Sequence, residues 1–247
     1  MSKRVWLDAG HGGTSPGACG GDIRESDVAL SVTLKVGEIL SKKGIGVLYT
    51  RTDDTSVSLS KRSHEANQAK VDAFISIHCN SASNTNARGV ETFCYKFKYR
   101  PLADAIQKQL TADPYLYKYD RGVKEGDFHV IRETNMDAAL VELAFISNGE
   151  DRWLLKNKQD GFAKAIANGI MNFLGVLTDE TVKEEKPSDI IINDENSNDV
   201  VEGIDDTPVY HVVVGEVLSK EKAEAIAKTL KEQGYGNVMI SVTTNVK

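Results

Sequence analysis

The chain has 247 residues, of which 40% are hydrophobic and 27% charged, and a formal net charge of -6. This is the composition of an ordinary globular protein, and no apolar run approaches the roughly 20 residues that crossing a membrane requires. Neither a membrane nor a nucleic acid is expected as a partner.

In chain order, strands are predicted at 4–8, 46–50, 73–78, 89–95, 128–131 and 139–143, with helices at 26–43, 59–70, 101–110 and 151–174. Gly44 follows two lysines and suits the C′ position of the first helix. This alternation predicts an α/β fold, a mixed, mainly parallel twisted sheet with helices on both faces. Residues 177–206 then carry 11 acidic residues against two basic ones. Such a segment is expected to be an extended, self-repelling linker. After it, residues 207–247 read as strand, helix and strand, a small βαβ module with Ser219 as N-cap, Gly234 as the stop and His211 on a strand surface. Three regions follow: a main domain at 1–176, the linker at 177–206 and the module at 207–247.

Cys19, Cys79 and Cys94 make an odd number without paired spacing, which argues for a reducing place of synthesis and no disulfide framework. Cys79 abuts His78, so a thiol nucleophile is considered beside the reading of a small buried residue. The start, MSKRVWLDAG, lacks a secretory apolar core. Synthesis in the cytoplasm is therefore expected.

The most informative stretch is VWLDAGHGG, where an apolar strand gives way to glycines at His11. A side chain there sits at the sheet edge, where open α/β folds hold their ligands. FISIHCNS carries His78 off the end of a second apolar run, and AALVELAFISN does the same with Glu142. A catalytic zinc site takes three protein ligands and leaves one position open. His11 and His78 supply two; spacing favours Glu25 as the third, with Asp22 and Asp27 as alternatives that simply favour a helix N-terminus. Glu142, in apolar company, suits a general base that takes a proton from a zinc-bound water, since desolvation raises its pKa. His129 is expected to line the cleft. His64 is expected on a solvated helix face, and Arg51 in a structural role.

LDAGHGG, Glu25, TRTDD, EANQAKVDAFISIHCNS, GVETFCY and VELAFISN, in this order over residues 4 to about 175, resemble the zinc-dependent N-acetylmuramoyl-L-alanine amidases of the amidase-3 type. The resemblance implies His11, Glu25 and His78 as Zn2+ ligands and Glu142 as the catalytic glutamate, and so selects Glu25 over Asp22. It implies hydrolysis of the amide between N-acetylmuramic acid and the first L-alanine of the stem peptide, with bacterial peptidoglycan, both glycan strands and stems, as the partner. Asn80 and Arg132 join His129 as expected substrate contacts. The module resembles half of a sporulation-related repeat (SPOR) domain, which implies glycan binding. One βαβ half leaves strand edges exposed, so a homodimer through residues 207–247 is expected.

Two other readings use the same residues: a zinc peptidase acting on stem peptides, and a wall-binding protein without activity. A glycosidase would need two carboxylates flanking a sugar bond and no metal. Without an export signal, the enzyme is expected to reach the wall through a holin-type pore as an endolysin, or at mother-cell lysis as an autolysin.

Overall fold

Strand β1 (Arg4–Ala9) is buried at every position after Arg4, the pattern of a strand with neighbours on both edges and layers on both faces. The computed structural model describes residues 3–112, 116, 119–176, 210–212 and 238–240. In it β1 pairs in parallel with β4 (Gly46–Tyr49) on one side and with β5 (Ala73–Asn80) on the other. Next comes β8 (Asp137–Phe145), parallel to β5. Beyond it, β6 (Val90–Cys94) runs antiparallel to β8, and β7 (Asp120–Glu125) lies parallel to β6 at the sheet edge. The order is β4-β1-β5-β8-β6-β7. The sheet is mixed and mainly parallel, as expected, and a two-residue hairpin of β2 (Cys19–Gly20) and β3 (Ile23–Arg24) lies outside it.

The two faces are covered unequally. On one, α1 (Glu25–Lys42), α3 (Pro101–Ala112), α5 (Gly149–Asn157) and α6 (Gln159–Leu174) enclose the main core, in which Val32, Val36, Ile106 and Ile166 meet Leu7, Ile75, Ile77, Val141 and Leu143. Each such side chain, removed fully from water, contributes about 1.5–3 kcal/mol. Gly169 of α6 lets α3 come close, since a Cβ there would lie 2.5 Å from the Ile106 Cα. On the other face α2 (Leu59–Ala69) and the single-turn α4 (His129–Arg132) cover a smaller cluster of Trp6, Ala66, Phe74, Val130, Ile131 and Leu140. The cleft described below opens on this second face.

Three elements differ from expectation. Residues 128–131, expected as a strand, instead form α4: Phe128 stands before it with extended φ and ψ of -87° and 134°, and Arg132 and Glu133 close i to i+4 bonds onto Phe128 and His129. The aromatic and β-branched run has strand propensity, but burial of Val130 and Ile131 against the sheet face decides the conformation. The helix expected at 151–174 is two helices, α5 and α6, with Lys158 between them at φ -122° and ψ 25°. Strand β7 was not foreseen, because DRGVKE is charged, without alternation, and pairs on one edge only.

By contact density the chain divides into residues 1–187 and 188–247. In the second unit β9 (Tyr210–Val212) and β10 (Val238–Ile240) pair in parallel, Tyr210 opposite Val238. Both lie between residues 207 and 247. The linker at 177–206 and the helix expected after Ser219 lie outside the described residues.

Candidate active site

β1 ends at Ala9, and the next residues turn under constraint. His11 has φ of 58°, Gly12 115° and Gly13 57°, the left-handed region that glycine enters freely and histidine at a penalty of order 1–3 kcal/mol. Two buried guanidiniums grip this turn. Arg51 donates to the carbonyls of Ala9, Gly10 and Ser26 at 3.1, 2.7 and 2.8 Å. Arg62, from α2, donates to the Asp8 carboxylate and to the carbonyls of Ala9 and His11, each at 2.7 Å. Asp8 is completed by the Ser76 hydroxyl at 2.7 Å. Arg51 is thus structural, as expected, while Asp8 and Arg62 were not singled out by sequence; their signal was a charged residue inside an apolar strand and another on a helix.

The turn places the His11 ring against Glu25 at the start of α1. Glu25 Oε1 lies 3.1 Å from His11 Nε2 and 2.9 Å from His78 Nδ1, and the backbone N–H groups of Cys79 and Ala18 donate to Oε1 and Oε2. Burial works to raise the Glu25 carboxyl, but the bonds to His11 and His78 outweigh it and hold the group far below the usual carboxylate range. Burial opposes charge on His78, yet the bond to Glu25 and the nearby Glu142 carboxylate raise its pKa overall. One ligand atom from each of His11, Glu25 and His78 lies within 4.8 Å of the others. Two imidazole nitrogens and a carboxylate oxygen are the donor types a catalytic zinc takes, and Glu25 Oε1 stands 3.1 and 2.9 Å from the two nitrogens, so the donor set suits a zinc ion. The Ser15 hydroxyl, 3.0 Å from His11 Nδ1, fixes that ring from behind, as partners of metal-ligating histidines do.

Glu142 is the register partner of His78 across β5 and β8. Its Oε2 is buried without a hydrogen-bond partner among the described residues. Burial pushes its pKa up to about 7, with His78 opposing and the Glu25 and Glu91 carboxylates adding to the rise. An orphaned, poised carboxyl beside a cation-competent donor set suits proton transfer. Across β6 the partner of Glu142 is Glu91, buried and held by Asn80 Nδ2 at 2.5 Å, Arg121 Nε at 2.7 Å and the Lys124 ammonium.

A cleft of about 640 Å³ opens beside His11 and His78, bounded by Thr14, Ser15, Ser56, Ser58, Phe128 and His129. His129 therefore lies with the histidine pair, its Nε2 3.3 Å from the Ser63 hydroxyl. Asn80 is brought near Glu142 through Glu91. Arg132 is not brought into the cleft; it pairs with Asp127 and Glu133 at 2.7 Å each and borders a separate cavity with Tyr95 and Tyr99. His64 is exposed on α2. Burial pushes the Cys79 thiol well above its ordinary range, which removes the thiolate a nucleophile needs.

Fold and donor set define the class: an α/β enzyme with a cleft at the strand ends, able to hold a divalent cation beside a poised carboxyl. The family profile of N-acetylmuramoyl-L-alanine amidases, the amidase-3 type, matches residues 5–172, and the chain belongs to that family. It is 38% identical over 204 residues to the endolysin of Bacillus phage SPP1, covering 76% of this chain and 73% of that one. It is 30% identical over 241 residues to the sporulation-specific N-acetylmuramoyl-L-alanine amidase of Bacillus subtilis, covering 96% and 84%. Among solved structures, the catalytic domain of CwlV, an N-acetylmuramoyl-L-alanine amidase from Bacillus (Paenibacillus) polymyxa var. colistinus, superposes with a TM-score of 0.68 at 36% identity, covering 71% of this chain and 99% of that domain. Among the described residues no helix is long and apolar enough to cross a membrane.

Proposed function

We propose that this amidase is zinc-dependent and cleaves the amide between the lactyl carbonyl of N-acetylmuramic acid and the L-alanine nitrogen of peptidoglycan. His11, Glu25 and His78 would hold the ion through Nε2, Oε1 and Nδ1. When bound, zinc supplies Lewis-acid polarisation of the scissile carbonyl and makes the attacking water more acidic. Glu142 accepts the proton of that water as it attacks, then returns it to the alanine nitrogen as the C–N bond breaks. The products are a lactyl carboxylate and a free alanine amine. His129 and the hydroxyls of Ser56 and Ser58 position the substrate along the cleft, and Asn80 acts through Glu91 on the wall beside Glu142. Arg132, held by its two carboxylates, has no part in this arrangement.

The observation that carries this reading is the buried, unpartnered Glu142 oxygen beside three converging ligands. Residues 207–247 act as a SPOR-like glycan-binding module behind an acidic linker, and two chains complete the sheet by pairing their modules. The sporulation-specific relative aligned over nearly the whole chain and the parallel β9–β10 pair support the module; sedimentation at micromolar concentration tests the dimer. Digestion of purified peptidoglycan with and without a chelator tests the reaction. New N-terminal alanine without new reducing sugar, abolished by the chelator and restored by zinc, is expected. Reducing ends that persist in chelator would overturn it.

A further inference from the structure

A row of side chains crosses the sheet at the level of the active site, passing from His78 on β5 to Glu142 on β8 and Glu91 on β6, each opposite the next. It ends at β7, where Arg121 Nε and the Lys124 ammonium meet one oxygen of Glu91. Glu91 is 4% exposed, and its other oxygen is taken by Asn80. Two cations thus share a single buried carboxylate, leaving a net positive charge on this flank. The cations are not enclosed: their side chains are 35% and 39% exposed. Arg121 spends only Nε on Glu91, and neither Nη donates to another described residue. Its guanidinium carbon lies over the Phe145 ring, 4.8 Å from the centroid. A guanidinium over an aromatic ring, its Nη atoms bonded to no other described residue, can present the fork that a carboxylate accepts in bidentate fashion.

We propose that Arg121 and Lys124 form a subsite for a carboxylate on the peptide arm of the substrate, so that the stem peptide crosses from β8 towards β7. The proposal rests on the amidase reading above. In that substrate the lactyl carboxyl is consumed in the scissile amide and the N-acetylated sugars are neutral, so carboxylates lie on the peptide arm. Two strand spacings separate β8 from β7, roughly 10 Å. An extended peptide covers about 3.3–3.6 Å per residue, which brings the side groups of the second or third stem residue to the cations. The glycan then lies on the opposite flank, over the glycine turn, where Thr14, Ser15, Ser56 and Ser58 offer hydroxyls beside the exposed Phe128 ring.

The test uses the full-length zinc-loaded enzyme and short glycan strands bearing L-alanyl-D-glutamate, with both glutamate carboxylates either intact or converted to amides. The wild type is expected to cleave the carboxylate form with a KM on the order of ten-fold lower than the amide form, the scale of one charge-assisted hydrogen bond. Arg121→Gln keeps Lys124 and Asn80 on Glu91, so the buried carboxylate stays paired, and it is expected to bring the two KM values together. Arg121→Lys, which keeps the charge without the fork, is expected to fall between. Equal KM values in the wild type, or a preference that survives Arg121→Gln, overturn the subsite and leave the amidase intact. Failure to release alanine ends from either strand overturns the amidase reading, and the subsite with it.

Discussion

Arg62 Nη2 donates a 2.7 Å hydrogen bond to the backbone carbonyl oxygen of His11, joining helix α2 to the strained turn that carries one of the three converging ligands. Its other terminal nitrogen binds Asp8 and Ala9, so one guanidinium sets the turn and satisfies a buried carboxylate below it. A lysine has one ammonium and cannot reach all three acceptors. Arg62→Lys is expected to leave the chain folded and to weaken zinc binding about 10–100-fold, the usual effect of losing an outer-shell partner. Competition with a chromophoric chelator reads this directly. An unchanged zinc affinity would show that the turn holds His11 without the clamp.

Removing Glu142 should separate metal binding from chemistry, because its carboxyl stands beside the ligand set without belonging to it. Glu142→Gln is nearly isosteric and supplies no base. It is expected to bind zinc as the wild type does while kcat on soluble fragments falls about 10²–10⁴-fold, the range attributed to general acid–base catalysis. Loss of zinc together with activity would instead make Glu142 a ligand.

The elements and residues that sequence reading located share a physical reason. β1, β5 and β8 are apolar runs in which a polar residue stands out: His11 lies just past the end of β1, His78 near the end of β5, and Glu142 inside β8, which runs on to Phe145. His11, His78 and Glu142 stood out for that reason, whereas Glu25 was separated from Asp22 and Asp27 only by spacing and by the family resemblance. α4 was misread because Phe128, Val130 and Ile131 have strand propensity, and only the sheet face they cover makes them helical. β7 and its cations escaped because an edge strand shows no alternation, and the partnership of Arg121 with Glu91 spans 30 residues. Long-range pairing of this kind leaves no periodic trace in a single sequence.

Gly10 makes room for a ligand. A Cβ at this position would stand 2.3 Å from His78 Cε1 and 2.6 Å from both ring nitrogens, closer than any contact a packed side chain tolerates. Gly10→Ala must therefore push the His78 imidazole away from Glu25. Zinc affinity and activity are expected to fall together, with fold stability lowered by about 1–3 kcal/mol, as for other overpacked sites. Gly169→Ala, which crowds α3 against α6 far from the cleft, provides the comparison: similar destabilisation with zinc affinity retained.

Residues 1–187 form a compact unit of their own, so a chain ending there should fold and retain the site. On soluble muropeptides it is expected to match the full chain. On intact walls it should be slower, because a second binding module raises the effective concentration of enzyme at the glycan. Turbidity clearance of purified walls by the two proteins makes the comparison. Equal clearance would remove the anchoring role from residues 207–247.

The raised pKa of Glu142 has a consequence for stability that does not involve turnover. In the metal-free protein burial moves this carboxyl from 4.5 to about 7. Below about pH 4.5 the group is protonated in both folded and unfolded chains and discriminates between them little. As pH rises from there to 7 the unfolded chain releases the proton while the folded chain retains it, so the folded state loses stability over this window and no further above it. At 1.36 kcal/mol per pKa unit the loss is at most on the order of 3 kcal/mol. Glu142→Gln has no proton to release; Glu25 titrates in both proteins, and the support that the Glu142 carboxylate gives a charged His78 is absent at pH 5, where Glu142 is protonated. Urea midpoints of the two metal-free proteins at pH 5 and pH 8 should therefore show the variant gaining on the wild type at the higher pH. Added zinc should narrow that gain, since a nearby cation favours the carboxylate form. An equal gap at both pH values would mean that Glu142 ionises freely in the fold and is not poised as the proton carrier.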